Sequence, residues 1–178
     1  MHIETVRILG VDPGSRITGY GVLELRGNQF VCLTNGCIKS QQDSLAQRLR
    51  HIHLSIQELI EHYAPQELAI ESVFVHRNVD SALKLGQARG TAIACAALQA
   101  MRVCEYTPAE IKKAVVGRGN AAKAQVQHMV AAILGLNRAL QADAADALAV
   151  AICHGHSRSS PINQLPLRSA RRPRWRLR

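Results

Sequence analysis

The sequence predicts an α/β fold in which a mixed five-stranded sheet is flanked by helices. Two observations predict it. The first forty or so residues contain three runs rich in apolar and β-branched residues, joined by turn residues, which is typical of antiparallel strands. Beyond them, short apolar runs alternate with longer helical patterns, which is typical of parallel strands joined by helical crossovers. A chain of 178 residues is long enough for one domain with a sizeable core.

The first two strands are predicted on either side of a tight turn. Residues 6–11 form a short apolar run that ends at Asp12, and Pro13-Gly14 follows as a turn signal. Residues 17–25 are again rich in β-forming residues, which indicates an antiparallel return strand.

A third strand and a long amphipathic helix are predicted next. Residues 29–40 are predicted to form the strand, with a kink or bulge at Asn35-Gly36. Residues 43–63 are predicted to form the helix, because apolar residues recur at spacings of three and four, at Leu45, Leu49, Ile52, Ile56, Leu59 and Tyr63. The same pattern predicts that four charged residues face away from the core, namely Arg48, Arg50, Glu58 and Glu61.

A central strand over residues 66–74 and a second helix over residues 80–101 follow. Gly86 and Gly90 lie one turn apart in that helix, where each glycine costs about 1 kcal/mol relative to alanine. They predict a close helix–helix contact, either within the fold or across a dimer. A strand is predicted over residues 102–106, and a short helix capped by Thr107-Pro108 follows it up to residue 116. A loop over residues 117–120 leads to a helix that ends at about residue 134, and the last helix runs from residue 143 to about 156.

Two carboxylates lie in apolar strands. Asp12 ends the first strand, where a carboxylate must reach solvent or be compensated, although ordinary turn chemistry before Pro-Gly is an alternative. Glu71 lies inside the run LAIESVF, on the face shared with Ala69 and Val73. An ionised glutamate there must be bound to a metal or paired, and a salt bridge to a lysine or arginine is the alternative.

Asp143 and Asp146 lie three residues apart at the start of the last helix and therefore project from one face. The alternative is that Asp143 caps the helix and Asp146 favours its dipole. Since Asp12 and Glu71 are predicted to end neighbouring strands at one edge of the sheet, the helix could bring all four together. Such a cluster would repel itself without cations, and its oxygen ligands suit Mg²⁺ or Mn²⁺. Two ions about 4 Å apart activate water and stabilise the leaving oxygen in phosphodiester hydrolysis.

Histidines and cysteines do not predict a zinc site. The five cysteines include no C-x-x-C pair and are expected to be small buried hydrophobes. His154-x-His156 lies at the far end of the last helix and is more typical of surface or core histidines than of a metal pair. The first residues lack the pattern of a signal peptide and no run is apolar enough to span a bilayer, so a soluble, cytoplasmic protein is expected.

The net charge of +9 is concentrated at the C-terminus. Seven arginines and no acid follow Ser157, so residues 1–156 carry only +2 (9 − 7). The sequence therefore predicts a folded domain over residues 1–156 and a flexible basic tail over residues 157–178 that suits a polyanion. A solubilising tail is the alternative.

Three motifs together resemble the RuvC family of Holliday-junction resolvases, which are RNase H-like nucleases. They are GVDPGSRITGYGV, IESVF followed by DSALKLGQARG, and QADAADALAVA, and the resemblance extends in order over nearly all of residues 7–156. It implies that the metal-binding catalytic carboxylates are Asp12, Glu71, Asp143 and Asp146, with Asp12 shared between two Mg²⁺ ions per subunit, for which Mn²⁺ is the alternative ion. It also implies a homodimer that nicks two opposing strands of a four-way DNA junction, leaves ligatable 5′-phosphate ends, and works with a branch-migration complex of the RuvA and RuvB type.

The resemblance assigns roles to further residues. Phe74 resembles the family aromatic that stacks on a base at the junction, although a core phenylalanine ending a strand is an alternative. Lys112 and Lys123 match basic positions near the scissile strand, where they could hold a phosphate and stabilise developing charge. Arg77 and Arg118 are candidates for contacts to the DNA backbone, with an exposed solvated position as the alternative.

Two other classes of protein remain open at this point. The segment VDPGSRITG also resembles the first phosphate loop of actin-like and sugar-kinase ATPases, but the chain has no second copy of that loop. A non-catalytic protein that binds four-way junctions would account for the basic residues but not for four convergent carboxylates.

Overall fold

The computed structural model describes residues 5–42, 44–72, 79–137 and 139–158. Five strands form one sheet in the order β3-β2-β1-β4-β5. Their bounds are β1 Thr5–Asp12, β2 Ile17–Arg26, β3 Gln29–Lys39, β4 Glu67–Glu71 and β5 Arg102–Tyr106. Strands β1, β2 and β3 pair antiparallel, whereas β4 pairs parallel with both β1 and β5. The predicted mixed sheet of three antiparallel strands followed by parallel crossovers is confirmed.

Five helices accompany these strands in the described residues. Their bounds are α1 Leu45–Tyr63, α2 Val79–Leu98, α3 Pro108–Val116, α4 Lys123–Leu134 and α5 Ala142–Arg158. The predicted capping of α3 is confirmed, since the Thr107 side chain accepts from the backbone of Glu110 and the Glu110 side chain returns to the Thr107 backbone. The last helix runs two residues past its predicted end.

The helices cover both faces of the sheet. One core contains side chains of α3, α4 and α5 packed on residues such as Ile8, Leu23 and Ala69. The other contains side chains of α1 and α2 packed on alternate residues of the same strands, such as Leu9 and Leu68. The two-residue alternation of each strand therefore divides the apolar residues between two cores.

Helix α5 lies unusually close to β1 and β2 because glycines replace side chains there. A Cβ atom on Gly10 would lie 2.1 Å from the backbone oxygen of Ala147, and one on Gly19 would lie 2.0 Å from that of Asp143. Neither distance is possible for a real side chain. The glycines thus allow backbone-to-backbone packing, which fixes the height of α5 above the sheet.

The predicted kink at Asn35-Gly36 is wrong, because both residues pair regularly with β2. The irregularity lies nearby, where Thr34 pairs with Val22 but Cys32 pairs with Leu23, so that Leu33 is the extra residue. Gly36 serves another purpose. A Cβ there would meet the hydroxyl oxygen of Tyr20 at 2.7 Å, so the glycine makes room for the tyrosine ring.

The prediction that Arg48 faces away from the core is also wrong. Its side chain is buried, and Nη1 donates to the carbonyl oxygen of Gln42 at 3.1 Å. Helix α1 begins at Leu45 with Ser44 as its cap, and Gln42 lies before that cap, outside the helix. That tertiary contact outweighs the preference of the guanidinium for solvent.

The expected contact at Gly86 and Gly90 is not found within the fold. A Cβ built on either glycine meets no atom within 4 Å in the described part of the chain. Both glycines therefore leave open space on the outer surface of α2, and the contact across a dimer is the alternative that stands.

Candidate active site

The sheet topology places two of the predicted carboxylates side by side. Asp12 is the last residue of β1 and Glu71 is the last residue of β4. These strands are parallel neighbours, and their register ends with Val11 opposite Ile70. The two strands therefore end at the same edge of the sheet, as predicted.

Helix α5 brings the other two carboxylates to this edge. Asp143 is its second residue and Asp146 lies nearly one turn further on. Since the helix begins at Ala142, Asp143 lies inside its first turn, and the alternative that Asp143 caps the helix is wrong. The close approach of the Asp143 backbone to Gly19, seven residues after Asp12, sets the helix N-terminus over the ends of β1 and β4.

The charges at this edge shift the pKa values of Asp12 and Glu71. Burial, together with the negative charges of Asp146, Glu71 and Asp143, raises the pKa of Asp12 from its ordinary value of 3.8 to about 7. Burial and the charge of Asp146 also raise the pKa of Glu71. The cluster therefore resists full ionisation near neutral pH unless positive charge is supplied.

Two lysines supply part of that charge. Lys123 is the first residue of α4, and its Nζ atom lies 2.5 Å from Oδ2 of Asp146. This hydrogen bond raises the pKa of Lys123 and leaves the lysine charged. Lys123 and, from α3, Lys112 offset part of the rise in the pKa of Glu71. A groove of about 340 Å³ is lined by both lysines together with Glu71 and Asp146.

The donor atoms of this edge fit hard divalent cations. Carboxylate oxygens are the ligands that Mg²⁺ and Mn²⁺ prefer, and a bound cation would relieve the repulsion that raises the pKa of Asp12. As the side chains stand, no three His, Cys, Asp or Glu residues in the described ranges are gathered closely enough to hold a metal. The ammonium group of Lys123 lies against Asp146 instead.

The remaining predicted residues are placed as follows. Arg118 is exposed in the turn after α3, where its carbonyl accepts from Ala121. Phe74 and Arg77 lie outside the described residues. His154 is a core histidine, as predicted. Its Nδ1 lies 2.6 Å from the hydroxyl of Tyr106, and its Nε2 bonds to Glu67.

Sequence reasoning missed two residues that support the site. Thr18 is buried, and its hydroxyl donates to the carbonyl oxygen of Gly14 at 2.7 Å, which closes the turn that follows Asp12. Arg89 donates from Nε to the carbonyl oxygen of Glu71 at 3.2 Å. A threonine four residues after a Pro-Gly turn was the available signal for the first. The second contact joins residues 18 apart and left no local signal.

The comparisons with known proteins give the family. A family model described as crossover junction endodeoxyribonuclease RuvC matches residues 8–154. A protein of that name from Chromohalobacter salexigens is 54% identical over 172 residues, covering 95% of this chain and 92% of the relative. The chain belongs to the RuvC family of crossover junction endodeoxyribonucleases.

Solved RuvC structures agree with the fold. A Thermus thermophilus RuvC structure has a TM-score of 0.78 and 33% identity, covering 85% of this chain and 95% of that one. Thermus thermophilus RuvC in complex with Holliday junction substrate has a TM-score of 0.79 and 34% identity, with coverages of 84% and 92%. The RNase H-like fold expected of a RuvC enzyme is thereby confirmed. Within the described part of the chain, no helix combines the length and apolar character needed to cross a membrane.

Proposed function

We propose that this RuvC enzyme resolves Holliday junctions by metal-dependent nicking of two opposing strands, in DNA recombination and repair. The observation that carries the proposal is the convergence of Asp12, Glu71, Asp143 and Asp146 at one edge of the sheet. There the charges of the other three raise the pKa of Asp12, and the charge of Asp146 raises the pKa of Glu71. A structural role for four crowded carboxylates would not require them to share one partly buried edge.

The four carboxylates are the proposed ligands of two Mg²⁺ ions per subunit, with Mn²⁺ as a possible replacement and Asp12 shared. Bound there, the ions supply an activated water and neutralise charge on the scissile phosphate. The attack of water on phosphorus breaks the bond to the 3′ oxygen, which leaves a 5′-phosphate and a 3′-hydroxyl. The proposed role of the protein is to hold the carboxylates ionised and the phosphate in place.

Lys112 and Lys123 are proposed to hold that phosphate. They line the same groove as Glu71 and Asp146 and approach it from α3 and α4, opposite the sheet. Their positive charges would stabilise the negative charge that develops on the phosphate oxygens during the reaction. Phe74 as a wedge at the junction, and Arg77 and Arg118 as contacts to the DNA backbone, are part of the same proposal.

A homodimer would give the enzyme two sites for two strands. Its proposed interface is the outer surface of α2, where Leu83 and Leu98 are 62% and 77% exposed beside the open space at Gly86 and Gly90. Small residues of this kind allow two helices to approach closely. A two-fold axis between the subunits would match the two-fold symmetry of the junction.

The setting of the reaction completes the proposal. The enzyme is proposed to act in the cytoplasm with a branch-migration complex of the RuvA and RuvB type, which moves the junction to a preferred sequence. Residues 159–178, which follow α5, are proposed to be a basic tail that adds sequence-independent affinity for DNA.

The test is cleavage of a synthetic four-way junction beside a linear duplex of the same sequence, with Mg²⁺ and with EDTA. We expect paired nicks in the junction, none in the duplex, and none with EDTA. Ligation of the products by DNA ligase checks the predicted ends. Junction binding without cleavage in Mg²⁺ or Mn²⁺ would contradict the proposal and favour a non-catalytic junction-binding protein.

A further inference from the structure

Arg89 belongs to the motif DSALKLGQARG but has no part in the function proposed so far. It lies in α2, on the face of the sheet opposite α5, and its side chain is only 20% exposed. The guanidinium reaches the edge of the sheet that carries the four carboxylates. There it makes two contacts, one with β4 and one with β5.

The contact with β4 is made to the backbone of a proposed catalytic residue. The Nε atom of Arg89 donates to the carbonyl oxygen of Glu71 at 3.2 Å. Glu71 is the last residue of β4, and the register of β1 with β4 ends one residue before it. The carbonyl therefore lies where pairing with β1 has stopped, and Arg89 supplies a donor at that point.

The guanidinium also contacts β5. Its Nη2 atom forms an ion pair with Glu105, the residue before the last one of β5. The next residue, Tyr106, accepts a hydrogen bond from the backbone N–H of Ser72 at 2.8 Å. The peptide that follows Glu71 is thus held on both of its polar sides, by β5 through its N–H and by Arg89 through its carbonyl.

We infer that Arg89 is a positioning residue that fixes the backbone of Glu71 and so aims its carboxylate at the metal site. This inference rests on the proposed role of Glu71 as a ligand. Arg89 acts through the carbonyl: the cations that lower the pKa of the Glu71 carboxyl are Lys123 and Lys112, on the other face of the sheet. A rotation of the last peptide of β4 would move the carboxylate while leaving every ligand chemically intact.

The experiment compares Arg89→Ala with Glu105→Gln, because both remove the ion pair but only the first removes the donor to Glu71. Single-turnover cleavage is measured at saturating junction and Mg²⁺, with junction affinity and the thermal midpoint. We expect Arg89→Ala to cleave at least tenfold more slowly with junction Kd within twofold. Glu105→Gln should cleave within twofold of the wild type, although its thermal midpoint should fall as far as that of Arg89→Ala. Lys84→Ala is the matched control, since Lys84 pairs with Asp80 one turn away on the same helix.

A second readout needs no DNA. Calorimetric titration of Mg²⁺ into the protein should show at least fivefold weaker binding for Arg89→Ala and unchanged binding for Glu105→Gln. Glu71→Gln and the double variant Glu71→Gln with Arg89→Ala should bind Mg²⁺ equally, since Arg89 acts only through Glu71. If Arg89→Ala does not fold, Arg89→Lys keeps the cation beside Glu105 without Nε and should still cleave at least threefold more slowly.

Three outcomes would overturn the inference. They are cleavage by Arg89→Ala within twofold of the wild type, cleavage by a folded Arg89→Lys within twofold of the wild type, and an equal loss of cleavage in Glu105→Gln. The proposed role of Glu71 fails separately, if Glu71→Gln cleaves normally. An inactive Glu71→Gln beside an active Arg89→Ala would refute the positioning role alone.

Discussion

Lys123 Nζ and Asp146 Oδ2 lie 2.5 Å apart across the groove between α4 and α5. The lysine side chain is 60% exposed, so the pair contributes about 0.5 kcal/mol or less to stability. The pair matters because it holds the positive charge of Lys123 beside Asp12 and Asp143, and these two carboxylates also raise the pKa of Lys123. The pair brings a cation to the carboxylates of α5, and in the proposed mechanism a substrate phosphate shares this cation.

Replacing Lys123 by alanine should therefore impair cleavage much more than stability. We expect the rate at saturating junction to fall on the order of a hundredfold, because a charge near the reacting phosphate is lost. The midpoint of urea unfolding should remain nearly unchanged. Lys113→Ala is the matched control, since Lys113 is exposed on α3 and lines a different cavity. Equal rates for the two variants would contradict the proposed role.

Replacing Asp12 by asparagine should stabilise the metal-free protein at pH 8. The raised pKa means that the folded state holds a proton that the unfolded state has lost, so stability falls as pH rises from about 4 to about 7. Above that range we expect the free energy of unfolding of Asp12→Asn to exceed that of the wild type by about 2–4 kcal/mol, because the variant has no carboxyl group to ionise at this position. Urea unfolding at pH 5 and pH 8 in EDTA measures the difference.

The same two proteins test metal binding. Added Mg²⁺ should raise the thermal midpoint of the wild type at pH 8 and leave Asp12→Asn nearly unchanged, because a ligand that binds only the folded state stabilises it. The crowded-carboxylate interpretation would be contradicted if the difference in free energy of unfolding between the wild type and Asp12→Asn were the same at pH 5 and pH 8.

The proposed dimer depends on the outer surface of α2. Leu83→Glu should give a monomer by analytical ultracentrifugation, since a charge would be buried against the partner. Paired nicking of one junction should fall with it, whereas the circular dichroism spectrum should not change. Leu54→Glu, at an exposed position on α1, is the control and should remain dimeric. A dimeric Leu83→Glu would place the interface elsewhere.

His154 should make a pH-dependent contribution to stability. Burial opposes its protonation, but hydrogen bonds to Cys104 and Glu67 outweigh burial and raise its pKa above 6.5. A raised histidine pKa stabilises the fold fully below pH 6.5, and this part is lost as pH rises through the folded value. The advantage of the wild type over His154→Gln in urea unfolding should thus be larger at pH 6 than at pH 9. An advantage independent of pH would mean that the imidazole is neutral throughout.

Removing residues 159–178 tests the tail while keeping α5 intact, since Arg158 forms an ion pair with Glu67. The truncation removes six arginines. If they contact phosphates, the slope of log Kd against log salt for junction binding should fall by up to about 5. Cleavage at low salt should remain. An unchanged slope would show that the tail does not bind DNA.

Much of the fold could be predicted from local patterns. The apolar runs of β1 and β2, their antiparallel return after Pro13-Gly14 and the capping signal at Thr107 can each be recognised from neighbouring residues, and the structure confirms them. The meeting of Asp12 and Glu71 also followed, because parallel strands end at the same edge.

What could not be predicted depends on how separate elements meet. The extra residue Leu33 is seen only in the pairing of β3 with β2, and the buried side chain of Arg48 contacts a carbonyl outside its helix. The contact of Arg89 with Glu71 likewise appears only once α2 is packed on the sheet. The carboxylates could be named from their settings, whereas the groups that hold them in place required the tertiary structure.

The glycines beneath α5 have a consequence for variation in this enzyme. At Gly10 and Gly19 the side chain is a single hydrogen atom, and any larger side chain would push α5 away from the sheet. Asp143 and Asp146 would be carried with it, away from the partners on the strands. The proposed reaction thus depends on two positions that offer no chemical group at all. A methyl group at either position would disturb the proposed active site without altering any of its four carboxylates.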